Sequence, residues 1–432
     1  MSDLNLCVFE ADVTPPPGSP LCGGLVEPVA GVDDPLFARG LVFLSGAPPV
    51  VLAAIDWCEL RNGAHDLWRE SLAEAAGTTP ERVIATTVHQ HDAPIVDTAA
   101  QRLFDEHGIE PAICDVAWHA AVLRNACDAL RESLARPAAV DEIGLGAGPV
   151  ERFASNRRPL GDDGKVVRPR FSAMPGDDPV VALPEGLIDP SLRSLSFHSN
   201  GRPVAVVSCY ASHPMSHYGK GQVSADTVGL ARRRREAELR GATQVYVTGC
   251  GGNLAAGKYN DGSPEMRSAL ADRLAEGMRA AWRSQVRYPT KGISFRSVPL
   301  DVSAAVSIRG AEAEFGPLLD DPNSDRYARW RAASGLAFVR RLASGRSLDV
   351  PAFDFGPSVL VALPGEPFVE YQLAAQHMSE DKAVIVAGYG DCGLGYLCTD
   401  ASHGEGGYEP TATFLQTGAE SLVMEALRQA VA

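Results

Sequence analysis

Hydrophobic positions along this chain fall into two alternating rhythms. Short, nearly unbroken apolar runs such as Val50-Val51-Leu52-Ala53-Ala54-Ile55 fit strands covered on both faces. Stretches with apolar residues at helical spacing separate them. The runs predict strands over residues 5–13, 36–45, 49–56, 83–85, 142–145, 245–247, 359–363 and 383–387, with more near 292–308. Helices are expected over 63–76, 111–135, 230–239, 264–281 (capped by Ser263), through Ala375, and over 411–430. Residues 192–197 and 204–210 predict a hairpin across Asn200-Gly201. Strand and helix alternate as in α/β proteins, where ligands sit at strand ends. Two segments depart from the rhythm: the Gly-, Asp- and Pro-rich 161–187, long enough for a lid, and the charged helical stretch 311–345, expected as a solvated cover. No internal repeat is visible.

Chemistry-bearing residues gather where these runs stop. The run ending at Ala85 leads into Thr86-Thr87-Val88-His89-Gln90-His91-Asp92-Ala93-Pro94, and the proline favours a break in the strand. With the strand broken, His89 and His91 can face one cleft rather than opposite faces. Alone, such a pair is more often one solvated and one core histidine. The theme recurs, however. The run over 204–210 is followed by Ser212-His213-Pro214, that over 359–363 by Glu366, and that over 383–387 by loops bearing Tyr396 and Tyr408. Two imidazoles and a carboxylate make a usual catalytic zinc set that leaves a position open for water. The 245–247 run ends in Thr248-Gly249-Cys250-Gly251-Gly252-Asn253, whose backbone N–H groups are candidates to approach an anion or oxyanion. It lacks the Lys-Ser/Thr ending of a Walker loop. Other groups carry blander expectations. Asp92 orients an imidazole or shapes its loop; His217 and Asp226 lie at the rim or behind the ligands. Asn253 holds the glycine loop, Cys250, Cys392 and Cys398 pack, and Arg232 to Arg235 form a solvated helix face.

A formal net charge of −15 argues against nucleic acid or an anionic membrane as the main partner and does not identify a substrate. The nine cysteines are scattered, odd in number and form no Cys-x-x-Cys pair, which suits reduced thiols. The start carries no basic, apolar leader and no run reaches membrane-spanning length, so a cytoplasmic location is expected. Oligomeric state is not legible.

Taken in order, several motifs resemble the catalytic domain of the neutral/alkaline (non-lysosomal) ceramidase family, zinc-dependent amidases that split N-acyl bonds. They are Ala11-Asp12-Val13-Thr14-Pro15-Pro16, Asp34-Pro35-Leu36-Phe37-Ala38-Arg39, Thr87-Val88-His89-Gln90-His91, Asn156-Arg157-Arg158-Pro159, Ser212-His213-Pro214, Leu363-Pro364-Gly365-Glu366-Pro367, and the twelve-residue separation of Tyr396 and Tyr408. The resemblance implies mixed β-sheets flanked by helices in a single domain over 1–432. It implies one zinc ion per chain held by His89, His213, Glu366 and Tyr396. His91 and Arg157 would contact substrate oxygen atoms, and Tyr408 would hydrogen-bond at the scissile group. Hydroxide formed on the zinc would then attack the amide carbon. Two departures stand out. Gly252-Asn253-Leu254-Ala255-Ala256 replaces a loop in which the family carries a serine, so a covalent serine route is not expected. Gly393 replaces a large aromatic and is expected to reshape the pocket. The family's secretion signal and carboxyl-terminal β-sandwich are expected to be absent, which argues against a membrane lipid as substrate. The expected activity is hydrolysis of a C–N bond in a small, soluble, polar amide. The alternatives are ester or lactone hydrolysis or an elimination at the same site, or an inactive ligand-binding relative.

Overall fold

The computed structural model describes residues 4–432. Its architecture uses one succession three times: three strands, a crossover helix after the third, and a fourth strand parallel to the third. In the first unit β1 (Asn5–Asp12), β2 (Phe37–Leu44) and β3 (Val50–Ile55) run antiparallel, α1 (Asn62–Ala76) crosses over, and β4 (Val83–Thr87) lies parallel to β3. After α2 (Thr98–Glu106) and α3 (Val116–Ser133) the second unit follows. It comprises β5 (Glu142–Pro149), β6 (Ser191–Ser199), β7 (Arg202–Tyr210), α4 (Asp226–Glu238) and β8 (Thr243–Thr248), with β8 parallel to β7. Beyond α5 (Pro264–Ser284), β9 (Val286–Pro289) adds an edge to β5. The third unit runs β10 (Ser294–Leu300), α6 (Ile308–Asp320), α7 (Arg326–Ala343), β11 (Leu348–Asp354), β12 (Ser358–Ala362), α8 (Val369–His377) and β13 (Ala383–Ala387). There β13 is parallel to β12. The last helix is α9 (Ala419–Val431).

The recurrence is invisible in the sequence because what repeats is the order of elements, which different apolar residues encode equally well. β3, β4 and β12 are buried at every position, as expected of strands covered on both faces. One face of each sheet meets the others in a shared core that includes Leu41, Phe43, Leu195, Phe197, Val207, Phe353, Leu360 and Ile385. Phe43 packs against Phe197, Phe353 and Phe355 at ring separations of 5.1, 6.2 and 5.4 Å. The three parallel pairs are tied at their carboxyl ends. The Thr87 N–H donates to the Tyr389 carbonyl (2.9 Å) and the Gly388 N–H to the Thr248 carbonyl (2.8 Å). The Thr248 hydroxyl donates to the Val88 carbonyl (2.6 Å). All three units therefore deliver their following loops to one place. No helix among the described residues is long and apolar enough to cross a membrane.

Several expectations need correction. The stretch 311–345 is not a solvated cover. It belongs to α6 and α7, and α7 buries Trp330, Leu336, Phe338 and Val339 beneath its charged face. The arginine run is a solvated face only in part: Arg233 is exposed and Arg234 half-buried. Arg232 is buried against Asp56 at 2.5 Å, and buried Arg235 pairs with Glu238. The long aliphatic stem of arginine packs while its head finds a carboxylate. Ser263 precedes α5 without a side-chain cap bond. Residues 161–187 form a loop with one short helix, Pro179–Ala182, pinned by fully buried Arg170, which donates to the carbonyls of Val180, Leu183 and Pro184.

Candidate metal centre

His89 stands just past β4 with its backbone in the left-handed region (φ 74°). For a residue other than glycine that conformation costs about 1–3 kcal/mol, which the surrounding structure must hold. Its Nδ1–H donates to the Cys58 carbonyl (2.9 Å), and its ring stacks on Tyr389 at 4.2 Å. His213 follows β7, and its Nδ1–H is shared between the carbonyls of Gly251 (2.7 Å) and Leu254 (3.0 Å). Glu366 lies in a two-residue strand, Glu366–Pro367, paired parallel with Tyr396–Leu397. The glycines of the loop after β8 permit this convergence. A Cβ at Gly251 would press on the His213 backbone, and one at Gly252 would run into the Glu366 carbonyl.

The Nε2 atoms of His89 and His213 each lie 3.1 Å from the same oxygen, Glu366 Oε2. Both rings already commit their Nδ1 protons to carbonyls, so a neutral ring turns a lone pair toward the carboxylate. That oxygen is buried and accepts no hydrogen bond. Burial and the neighbouring Arg157 charge push His213 down to about 4, so its ring is neutral near pH 7. Burial alone would push the Glu366 carboxyl up, but its imidazole neighbours hold it well below the usual carboxylate range. A neutral His213 supplies no such charge. Two Nε2 atoms and one carboxylate oxygen converge on a single buried point, a donor set that fits a divalent cation.

The remaining residues expected at this site are close by. His91 Nε2 is 3.4 Å from His89 Nε2, and the ring nitrogens of His89, His91 and His213 lie within 4.8 Å of one another. Arg157 Nη1 is 3.3 Å from His213 Nε2, and Nη2 is 3.4 Å from the Tyr396 hydroxyl. Tyr396 and Tyr408 rings meet edge to face at 5.8 Å. Burial pushes both phenols up, so each keeps its O–H as a donor. His89, His91, Glu366, Tyr396 and Tyr408 line one cavity of about 220 Å³.

Sequence reasoning missed the second rank. Glu409 accepts from Arg157 Nε (3.1 Å) and Nη2 (2.9 Å) and from Arg158 Nη1 (2.7 Å). Burial raises its pKa, but the two guanidinium groups outweigh that and keep it low. Cys58 and Glu59, just past β3, obey the same strand-end rule that found His89. So does Tyr389, two residues past β13, whereas Cys22, Tyr218, Tyr327 and Trp330 carry no comparable signal.

The glycine loop does not offer its N–H groups as expected. Those of Gly249, Cys250 and Gly252 go to the Tyr210 carbonyl, Gln372 Oε1 and the Pro367 carbonyl, and the loop's contribution is carbonyl oxygens for His213. Gly393 lies outside the lining, hard against Asn62 Oδ1. Ala255 is fully buried outside the lining, paired with Ser155. Asp92 shapes its loop, accepting from the Gly219 N–H (2.7 Å) and Arg267 (3.1 Å), and burial raises it to about 6. Asp226 holds the Ser216 N–H (3.1 Å) and hydroxyl (2.7 Å), and His217 meets the Gly262 carbonyl. Asn253 bridges the loop to α8 through the Val369 N–H and Glu370. No residue of 161–187 lines the cavity.

Mixed sheets delivering histidine, carboxylate and tyrosine from the ends of parallel strands to one buried point define an α/β protein with a candidate cation centre. The solved structures make the fold more specific. The neutral ceramidase of Pseudomonas aeruginosa is similar over 99% of this chain and 74% of its own, with a TM-score of 0.70 at 17% identity. A ceramidase complexed with C2 matches over the same shares with a TM-score of 0.72 at 16% identity. No protein-family model and no curated protein sequence matches the chain. The fold is neutral-ceramidase-like.

Proposed function

We propose that this protein hydrolyses the C–N bond of a small amide at a divalent metal, zinc by its donor set, held by His89, His213, Glu366 and Tyr396. The observation that carries this reading is Glu366 Oε2, faced at 3.1 Å by the Nε2 atoms of two imidazoles whose Nδ1 atoms are engaged by carbonyls. The ceramidase fold supports the choice of an amide as the bond cleaved. Zinc bound there polarises a carbonyl and activates water. The chain's own groups do the rest. Arg157, its guanidinium fixed by Glu409, and Tyr408 donate to the carbonyl oxygen as charge develops on it. His91 turns Nε2 toward the same space, where its N–H donates to a substrate oxygen atom. The cavity, about 220 Å³, is smaller than the roughly 300–1,000 Å³ of sites for drug-sized ligands, which favours a compact substrate. Leu25, Val26, Trp330 and Phe414 favour an apolar group on it, and Arg61, Glu59 and Arg331 a polar one.

The test is a panel of short N-acyl amines, N-acyl amino acids and matched esters and lactones offered to the zinc-loaded protein, with products identified by mass spectrometry. Amine release with gain of one water is expected, lost on chelation and in His213→Ala. Ester turnover without amide turnover would replace the C–N assignment. Turnover surviving both chelation and His213→Ala would remove the metal from the reaction.

A further inference from the structure

We infer that Cys22, Cys58 and His91 form a second metal position, for a soft divalent cation, in the wall of the same cavity. Three separate segments bring these donors together. Cys22 lies in the loop after β1 in left-handed backbone (φ 46°), and its N–H is held by the Ala93 carbonyl at 2.8 Å. Cys58 follows β3, and its N–H is held by the Pro94 carbonyl at 2.9 Å. The segment that carries His91 therefore pins the backbone of both cysteines beside it.

Cys22 Sγ is 3.6 Å from His91 Nδ1, and all three donor atoms lie within 4.8 Å of one another. Tetrahedral zinc with sulfur at about 2.3 Å and nitrogen at about 2.0–2.1 Å spaces its ligand atoms about 3.5–3.8 Å apart. The cysteine–histidine pair already has that spacing, and closing the rest takes shifts of about 1 Å or less. All three residues line the cavity, so a fourth position faces it. Competing ligands nearby are engaged. Glu59 is paired with Arg61, and the His89 Nδ1 that lies 3.9 Å from Cys58 Sγ gives its proton to the Cys58 carbonyl. Among the described residues no other candidate group offers two thiols and an imidazole. Two thiolates and an imidazole select a zinc-like ion over magnesium or calcium. Binding releases the two thiol protons, so the dipositive ion and its two thiolates together are neutral.

The second ion would also set a tautomer. With Nδ1 on a cation, a neutral His91 must carry its proton at Nε2, the nitrogen 3.4 Å from His89. His91 is then a fixed donor where the substrate is proposed to react. This consequence rests on the function proposed above; the cysteine–histidine site itself does not.

The test uses reduced, metal-free protein titrated with cobalt(II) under inert gas, followed by metal analysis and absorption spectroscopy. Wild type is expected to take up two equivalents and to develop thiolate-to-cobalt charge-transfer absorption in the near ultraviolet. Cys22→Ser and Cys58→Ser should each lose that absorption and one equivalent. His213→Ala should keep the absorption and lose the other equivalent, so failure of one site is told from failure of the other. Circular dichroism checks that the variants fold, and the wild-type spectrum decides the matter without them. Cobalt uptake with no thiolate absorption, at full thiol count by Ellman titration, would overturn the proposal. So would a Cys22–Cys58 disulfide in protein purified under reducing conditions.

Discussion

Arg157 reaches both His213 and Tyr396 because Glu409 grips its Nε and Nη2, and Glu409 is itself steadied by Arg158. A lysine in that place keeps the charge but not the planar fork that spans both neighbours. Arg157→Lys and Tyr408→Phe are each expected to lower kcat by about 100-fold with little change in KM. Glu409→Gln should give a smaller loss, measured by steady-state kinetics on the amide that the substrate panel identifies. A histidine remote from the cavity makes a pH prediction. Burial lowers His119 to about 4, and its Nε2 accepts the Trp68 indole N–H at 3.0 Å. Between about pH 6.5 and 4 the unfolded chain takes up a proton that the folded one refuses. That contribution is complete above pH 6.5 and fades as pH falls toward 4, by about 3 kcal/mol. Urea unfolding of metal-free protein across this range should show the slope, and His119→Gln should reduce it, His213 contributing a share of its own. At this scale His89, His213 and Glu366 were legible because each follows an apolar run with a proline close behind. Glu409 and Cys22 were not. Their roles exist only once distant segments have closed on one another, and nothing local marks them.

Among the elements, α4 is fastened to the first sheet by a buried ion pair. Asp56, just past β3, is fully buried, accepts the Phe37 N–H at 3.0 Å and meets Arg232 of α4 at 2.5 Å. Removing one partner strands the other charge inside, which costs about 3–5 kcal/mol. Asp56→Ala should therefore lower stability by about that much in urea unfolding, and Asp56→Leu with Arg232→Met should recover a large part. The strands buried on both faces were legible because continuous apolar runs have few other homes in a folded chain. The apolar pattern marks only 142–145 of β5, for a physical reason. Its alternate positions Gly144, Gly146 and Gly148 show no hydrophobic pattern, yet a Cβ at Gly146 or Gly148 would run into the backbone of α5, and one at Gly144 into Gln285 just past it. The helix lies so close that the strand must do without side chains on that face. α7 misled in the opposite direction, because its arginines are conspicuous in the sequence and its buried alanine-rich face is not.

At the scale of the whole molecule, the candidate ligands are shared out: His89 comes from the first unit, His213 from the second, and Glu366 and Tyr396 from the third. None of the units carries a sufficient set alone. Zinc that binds the folded chain and not the unfolded one should stabilise it by about 2.7 kcal/mol at a free concentration 100-fold above Kd. Thermal melts should show Tm rising with zinc and falling on chelation, with no zinc response in His89→Ala beyond what the cysteine site contributes. The hydrogen bonds from Thr87 to Tyr389, Gly388 to Thr248 and Thr248 to Val88 link the three units where their ligand loops begin. An ion captured there acts as a keystone. It seats only when the last third of the arch has arrived, so a chain with one sheet misaligned would keep most of its secondary structure, and even an ion on its cysteines, and still fail to retain this one. Uptake of the second equivalent would then report complete assembly more sensitively than circular dichroism does.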